Sequence, residues 1–226
     1  MEKGAFLARN AGISAARGRV LAFTDSDCTP TSSWLAEGYK AVRTHDFRVL
    51  VAGRVAPYYG RKTDVAIFES AFSFRQDRYV AAGFGATGNL WVPADIVRTI
   101  GVFDPAMLGA GDVEFGLRAR GANVPIVYVP ECIVGHESRA GLYDLLVKER
   151  RLAGGEVLLA RSAALADCRV ATLADEWRWA RRRYKVIRSA YPGPRGLNLH
   201  AISLLVLLAR AGEKTLVSAG KRPLRH

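Results

Sequence analysis

A chain of 226 residues and 24.6 kDa suffices for one well-cored domain, or for one domain with a helical appendage. Half of its residues are hydrophobic and 24% are charged, a globular balance that excludes disorder, a collagen-like repeat and a coiled-coil rod. The net charge of +12 is unevenly spread: residues 1–138 hold 15 Lys and Arg against 14 Asp and Glu, and residues 139–226 hold 18 against 7.

In chain order, Lys3 to Arg17 reads as a helix stopped by Gly18, and Arg19 to Thr24 as a short buried strand. Asp25 to Pro30 is a polar turn, and Thr31-Ser32-Ser33 is placed to cap a helix over Trp34 to Thr44. Arg48 to Pro57 is β-branched and alternating, hence a strand, and Asp64 to Tyr79 has helical spacing. A glycine-rich loop from Gly83 to Gly88 leads into a strand over Asn89 to Val92, then a short helix over Pro93 to Ile100. Asp112 to Gly121 is a further helix, and Val124 to Val129 a strand that Pro130 ends. This alternation predicts an α/β domain with a mostly parallel or mixed sheet.

Beyond Arg139 the strand signals stop. Leu142 to Ala166, Leu173 to Ala190 and Leu197 to Leu216 read as helices, with Pro192-Gly193-Pro194 separating the last two. The expected division is a core over residues 1–140 and a basic helical extension over 141–226. Three cysteines (Cys28, Cys132, Cys168) without a CxxC argue against a disulfide scaffold or a zinc ribbon and suit a reducing compartment. No stretch reaches 18 apolar residues, and Met1 to Gly4 lacks the apolar run of a secretory signal.

Asp25 and Asp27 are the sharpest local feature. Carboxylates two apart in an extended segment share a face, and these follow a strand at the end where open α/β sheets place ligands. Such a pair suits a hard divalent cation, which would in turn hold a diphosphate; a solvated turn capping the next helix explains the same residues. Asp112 and Glu114 follow Gly109-Ala110-Gly111, as in a catalytic loop, or simply as acids favoured in a first helical turn. His136, past the last strand, is either a ligand or a structural histidine. Cys28 is filler beside the turn.

Taken together and in order, four segments carry a resemblance: Ala8–Leu35 (ARNAGISAARGRVLAFTDSDCTPTSSWL), Ala86–Val92 (ATGNLWV), Gly101–Gly121 (GVFDPAMLGAGDVEFGLRARG) and Val127–Arg139 (VYVPECIVGHESR). Over about residues 3–160 the chain resembles the family 2 glycosyltransferases. The resemblance implies a GT-A, Rossmann-like mixed sheet with flanking helices, here N-terminally truncated, plus the C-terminal helical extension. It implies inverting transfer from a nucleotide-sugar donor, assisted by magnesium or manganese. Asp25 and Asp27 match the motif that binds the cation and the donor's ribose and diphosphate. Asp112 matches the general base that deprotonates the acceptor hydroxyl, and His136 the histidine that completes the metal site. Arg150 and Arg151 resemble a basic segment that reaches the diphosphate, and Gly88-Asn89 the start of the acceptor-side strand.

Two departures stand out. The loop reads Gly111-Asp112 where many relatives carry Glu-Asp, and the opening strands that hold the nucleobase and ribose have no counterpart, roughly 60 residues by the usual size of βαβ units. The expectation is an exposed sheet edge and a chain that is poorly stable or inactive alone. The resemblance implies a saccharide or lipid-linked acceptor; the expected location is cytoplasmic, peripheral on the inner face of the cell membrane. Trp177 to Lys185 interleaves aromatic and basic residues, suiting an anionic membrane surface, and the apolar run Ala201 to Ala209 is long enough to dip into one. A helix packed on the domain with a solvated basic face reads equally from those residues. A non-catalytic binding module that retains half of the fold is the alternative function. A nucleic-acid-binding tail is a further alternative; no nucleic acid is expected, because the charge lies outside the motifs.

Overall fold

The computed structural model describes residues 4–161 and 172–224. The helix ends expected at Lys3 and Ala166, and Cys168, lie outside them. The chain forms two compact units: residues 1–58, 74–106 and 111–137 in one, and 59–73, 107–110 and 138–226 in the other. Two stretches from the first half of the chain, 59–73 and 107–110, thus fold with the C-terminal helices.

The first unit is built on a five-stranded mixed sheet of order β1-β4-β3-β5-β2. Its strands are β1 (Val20–Thr24), β2 (Cys28–Pro30), β3 (Leu50–Tyr58), β4 (Asn89–Pro93) and β5 (Ile126–Glu137). Only β3 and β5 run parallel; β1–β4, β3–β4 and β2–β5 are antiparallel. β1 and β2 therefore form the two edges. The flanking helices are α1 (Ala5–Ala15), α2 (Trp34–Thr44), α4 (Gln76–Ala81), α5 (Ala94–Ile100) and α6 (Gly111–Gly121). Val42, Val49, Val51, Val55, Trp91 and Val134 form a core between α2 and the sheet, with Trp34 tilted on Trp91 at 5.0 Å.

Several elements correct the sequence reading. Cys28 to Pro30 is a strand, not the end of a turn, because β5 continues as a pairing partner for it. β5 runs through Pro130 rather than stopping there. The ladder with β3 shifts register between Gly53 and Arg54, opposite Val129 and Ile133, so Pro130 sits in the bulge where no ladder donor is required. The expected helix from Asp64 to Tyr79 is two, α3 (Asp64–Phe72) and α4, broken at Phe74 with φ of 53°. Ser33 occupies the N-cap of α2 but makes no capping bond, and Thr31 instead donates to the Ile133 carbonyl at 3.2 Å.

Asn89 resolves the backbone at that bulge. Fully buried on β4, its Nδ2 donates to the carbonyls of Arg54 (3.0 Å) and Cys132 (2.9 Å), and its Oδ1 accepts from Trp34 Nε1 (2.9 Å). Three polar groups that would otherwise be buried without partners are satisfied by one side chain. Gly53 makes room for it: a Cβ there would lie 2.3 Å from Asn89 Nδ2 and 2.4 Å from the Cys132 carbonyl.

The second unit is helical: α3 with α7 (Leu142–Arg161), α8 (Leu173–Ala190) and α9 (Pro194–Ser218). Ile67, Phe68, Leu145, Ile187, Leu199, Ile202 and Val206 form its core. A capping box between Thr172 and Asp175 starts α8, and Gly193, at φ of 82°, with Pro194 turns the chain into α9. Buried among these helices is a charge cluster. Arg210 pairs with Glu149 (3.0 Å), Glu156 (2.7 Å) and Glu176 (2.9 Å), and Lys214 with Glu156 and Glu176 (both 2.7 Å).

Candidate active site

The acidic turn follows from β1 and β2 being consecutive. β1 ends at Thr24, and the Cys28 amide closes the turn onto the Asp25 carbonyl at 3.0 Å. β2 then pairs antiparallel with β5, setting Cys28 opposite His136. The histidine is thus a strand residue rather than one just past a strand, and the pairing register brings it to the turn. His136 Nε2 lies 3.3 Å from Asp27 Oδ2, and its ring, almost fully buried, packs on Phe74 at 4.2 Å. The left-handed residue that breaks the α3–α4 helix is the one that backs this imidazole.

Asp25 faces the other way along the turn, where Arg9 of α1 donates to its Oδ1 at 2.5 Å. Gly88 leaves space for the carboxylate, since a Cβ there would stand 3.3 Å from Asp25 Oδ2. One ligand atom from each of Asp25, Asp27 and Cys28 lies within 4.8 Å of the others. Two carboxylates with an imidazole beside them form a donor set that fits a hard or borderline dication such as magnesium or manganese. Cys28 contributes little to such a set, because burial, with Asp25 and Asp27 nearby, raises its thiol pKa and keeps it protonated.

Asp112 begins α6, its Oδ1 accepting from the Val113 amide at 3.0 Å. The loop before it is clamped from both sides. Asn10 of α1 bonds both backbone groups of Phe103 (2.7 and 3.0 Å), and Arg118 of α6 donates to the carbonyls of Ile100 and Val102. Gly111 lets α6 settle on α1, as a Cβ there would meet the Phe6 ring at 2.6 Å. That contact sets Asp112 in the electrostatic field of Arg9 and Asp25. Burial raises the Asp112 pKa above its usual 3.8, and neither the Val113 amide nor Arg9 reverses the shift. Glu114 is a structural acid: nearly buried, it holds Arg118 at 2.5 and 2.8 Å.

Asp25, Asp27, His136 and Asp112 are thus gathered in one unit. Arg150 and Arg151 lie on α7 in the other, where Arg150 pairs with Glu213 at 2.8 Å. Sequence reasoning missed Arg9, although it stands in Ala8-Arg9-Asn10, the start of the first motif segment. It also read Asn89 only as the start of a strand.

A mixed sheet with an acidic turn after its edge strand, an imidazole across the register and an acid opening a clamped helix defines a GT-A glycosyltransferase fold. In agreement, the mannosyltransferase PcManGT from Pyrobaculum calidifontis, solved with GDP-Man and Mn2+, superposes with a TM-score of 0.61 at 15% identity, covering 95% of this chain and 67% of that one. Residues 2–89 match the family model described as glycosyl transferase family 2. Glycosyltransferase AglE of Haloferax volcanii is 30% identical over 158 residues, 69% of this chain and 51% of the relative. A pre-mycofactocin glycosyltransferase of Mycobacterium tuberculosis is 27% identical over 166 residues, 70% of this chain and 35% of the relative. The likeness to glycosyl transferase family 2 thus rests on residues 2–89 and on these relatives, and the chain spans about half or less of their length.

Proposed function

We propose that this chain transfers a sugar from a nucleoside-diphosphate donor to an acceptor hydroxyl with inversion at the anomeric carbon. The observation that carries the proposal is the pairing of Asp25 and Asp27 in one turn, with His136 beside Asp27, in the unit that also holds Asp112. Asp25 and Asp27 hold a divalent cation from the turn, and His136 holds it from β5. When bound, magnesium or manganese offsets the negative charge that gathers on the departing diphosphate. Arg9, seated on Asp25, relieves the repulsion between the two carboxylates and keeps the turn in place. Asp112 takes the proton of the acceptor hydroxyl as the oxygen attacks the anomeric carbon opposite the leaving group. Its raised pKa makes it a stronger base than a solvated aspartate, provided it is ionised.

The manganese and GDP-Man bound by the Pyrobaculum relative support the cation and the donor class. Arg150 and Arg151 are the proposed diphosphate contacts from α7; for Arg150 this requires exchange of its Glu213 partner. The acceptor is a saccharide or a lipid-linked sugar, and the basic helices hold the chain against an anionic membrane surface from the cytoplasmic side. Turnover of UDP- and GDP-sugars, followed with magnesium or manganese and after chelation, tests the reading. Metal-dependent release of nucleoside diphosphate that Asp112→Asn slows by about 10²–10⁴-fold is expected; release that is indifferent to the metal and to Asp112 would sink it.

A further inference from the structure

α9 is built inside out. Its buried side carries Ser203, Arg210, Glu213 and Lys214 among the apolar contacts, whereas its solvent side carries leucines. Leu197, Leu204 and Leu208 are 71%, 53% and 59% exposed, and Leu205 and Leu216 are also exposed. Positions 197, 201, 204, 208, 212, 215 and 219 follow one another at helical spacing, all exposed and none charged. The leucines run from 197 to 216, about 28 Å along the helix. Thr215 is the one polar side chain in the stripe, and uncharged, leucine-rich faces of this extent mark interaction surfaces rather than solvated ones.

The charges around the stripe select its partner. Arg195 opens α9, where it pairs with Asp64 of α3 at 3.2 Å, and Lys221 and Arg222 follow its end. On α8, Arg181, Arg182, Lys185 and Arg188 are exposed. The acids of residues 172–224 are Asp175, Glu176 and Glu213, none of them exposed, and each forms an ion pair with Arg or Lys. The outward surface of α8 and α9 therefore combines leucines, the aromatic rings of Trp177, Trp179 and Tyr184, and cations, with no exposed acid on either helix. A second copy would bring like charge to like charge, and one helix stripe is small against the ~800 Å² per partner of a stable protein interface. An anionic bilayer answers both features: leucines enter the acyl boundary and basic groups meet the headgroups. No helix among the described residues is long and apolar enough to cross a membrane, so α9 lies along the surface.

We propose that the outward face of α9, with Leu197, Leu204, Leu205, Leu208 and Leu216 at its centre and basic residues at its ends and on α8, is the surface by which this chain docks onto anionic lipid. This sharpens the membrane reading given above, narrowing the apolar run Ala201 to Ala209 to the outward leucines of α9 and extending them along the helix, and it does not depend on sugar transfer.

Flotation of the full chain with vesicles of phosphatidylcholine, with and without phosphatidylglycerol, tests the proposal without any sugar nucleotide present. The chain is expected to float with phosphatidylglycerol vesicles and to release them as salt screens the attraction. Leu204→Asp with Leu208→Asp should weaken flotation by about tenfold or more while the circular dichroism spectrum stays that of the parent chain. Arg181→Gln with Arg182→Gln should weaken it less and flatten the salt dependence. Absence of flotation by folded parent chain overturns the proposal, as does flotation that the leucine double variant retains. Light scattering that finds a dimer dissolved by the same leucine changes, with no vesicle binding, overturns it in favour of a second copy.

Discussion

The two units solve opposite problems with charge. In the sheet unit, two carboxylates are held half in water at the end of β1 with the buried imidazole of β5 behind them, and the core between α2 and the sheet is largely Val and Trp beside the fully bonded Asn89. In the helical unit, Arg210, Lys214, Glu176 and Glu213 are drawn inside while leucines of α9 are left outside. The first pattern leaves polar groups where a ligand can use them. The second draws most of its acids inside, so the outward face of α8 and α9 is left mainly with apolar and aromatic side chains and cations. Burial of charge thus reads as scaffold in α7–α9 and its partial exposure reads as chemistry at the turn.

That contrast can be broken from either side. The largest expected effects come from removing one member of a buried charge group. Glu176→Ala removes the one fully buried carboxylate that Arg210 and Lys214 share, leaving them Glu149 and Glu156, and should cost up to about 3–5 kcal/mol in chemical denaturation; loss below ~1 kcal/mol would mean that the cluster is not buried. Its pKa is lowered because Arg210 and Lys214 outweigh the burial that would raise it.

Asn89→Ala comes next. It leaves two carbonyls and the Trp34 N–H unsatisfied at the bulge, and a cost of about 2–5 kcal/mol follows from their desolvation. Urea unfolding would measure it, and a near-neutral result would show that water replaces the amide.

Glu69 supplies a pH-dependent test. Burial alone would raise its pKa, but Lys148 at 2.9 Å and Arg139 at 2.8 Å hold it down from 4.5 to about 2. A lowered folded-state pKa contributes stability that is complete above the unfolded value and is lost as pH falls from about 4.5 toward 2. The amount is about 3 kcal/mol. Glu69→Gln should flatten the stability profile in that window, and an unchanged profile would contradict the pairing. Smallest of all, Leu204→Ser on the outward face should change stability by no more than about 0.5 kcal/mol in water, since it is 53% exposed.

Much of this arrangement was legible in the sequence, and the limits have physical causes. Trp34 to Thr44 shows its helix in both composition and period, and Asp25-x-Asp27 declares itself by following an apolar strand. β2 was not legible: three residues ending in proline carry no period, and only pairing with β5 makes them a strand. The break at Phe74 needs a left-handed residue that sequence gives no reason to expect, and its reward, packing on His136, is tertiary. Arg9 has its partner 16 residues away in a turn, which helical periodicity cannot reveal. The inversion of α9 was hidden because leucines occupy both of its faces, and only the fold shows which face the charges turn to.

Above all, we propose that the turn and β5 together form a cation-dependent nucleotide site. Calorimetric titration of UDP and GDP into the folded chain, with and without manganese, tests it most directly. Binding that requires manganese and that Asp27→Ala abolishes is the predicted result. Binding that is the same without the metal, or that survives Asp27→Ala, would contradict it.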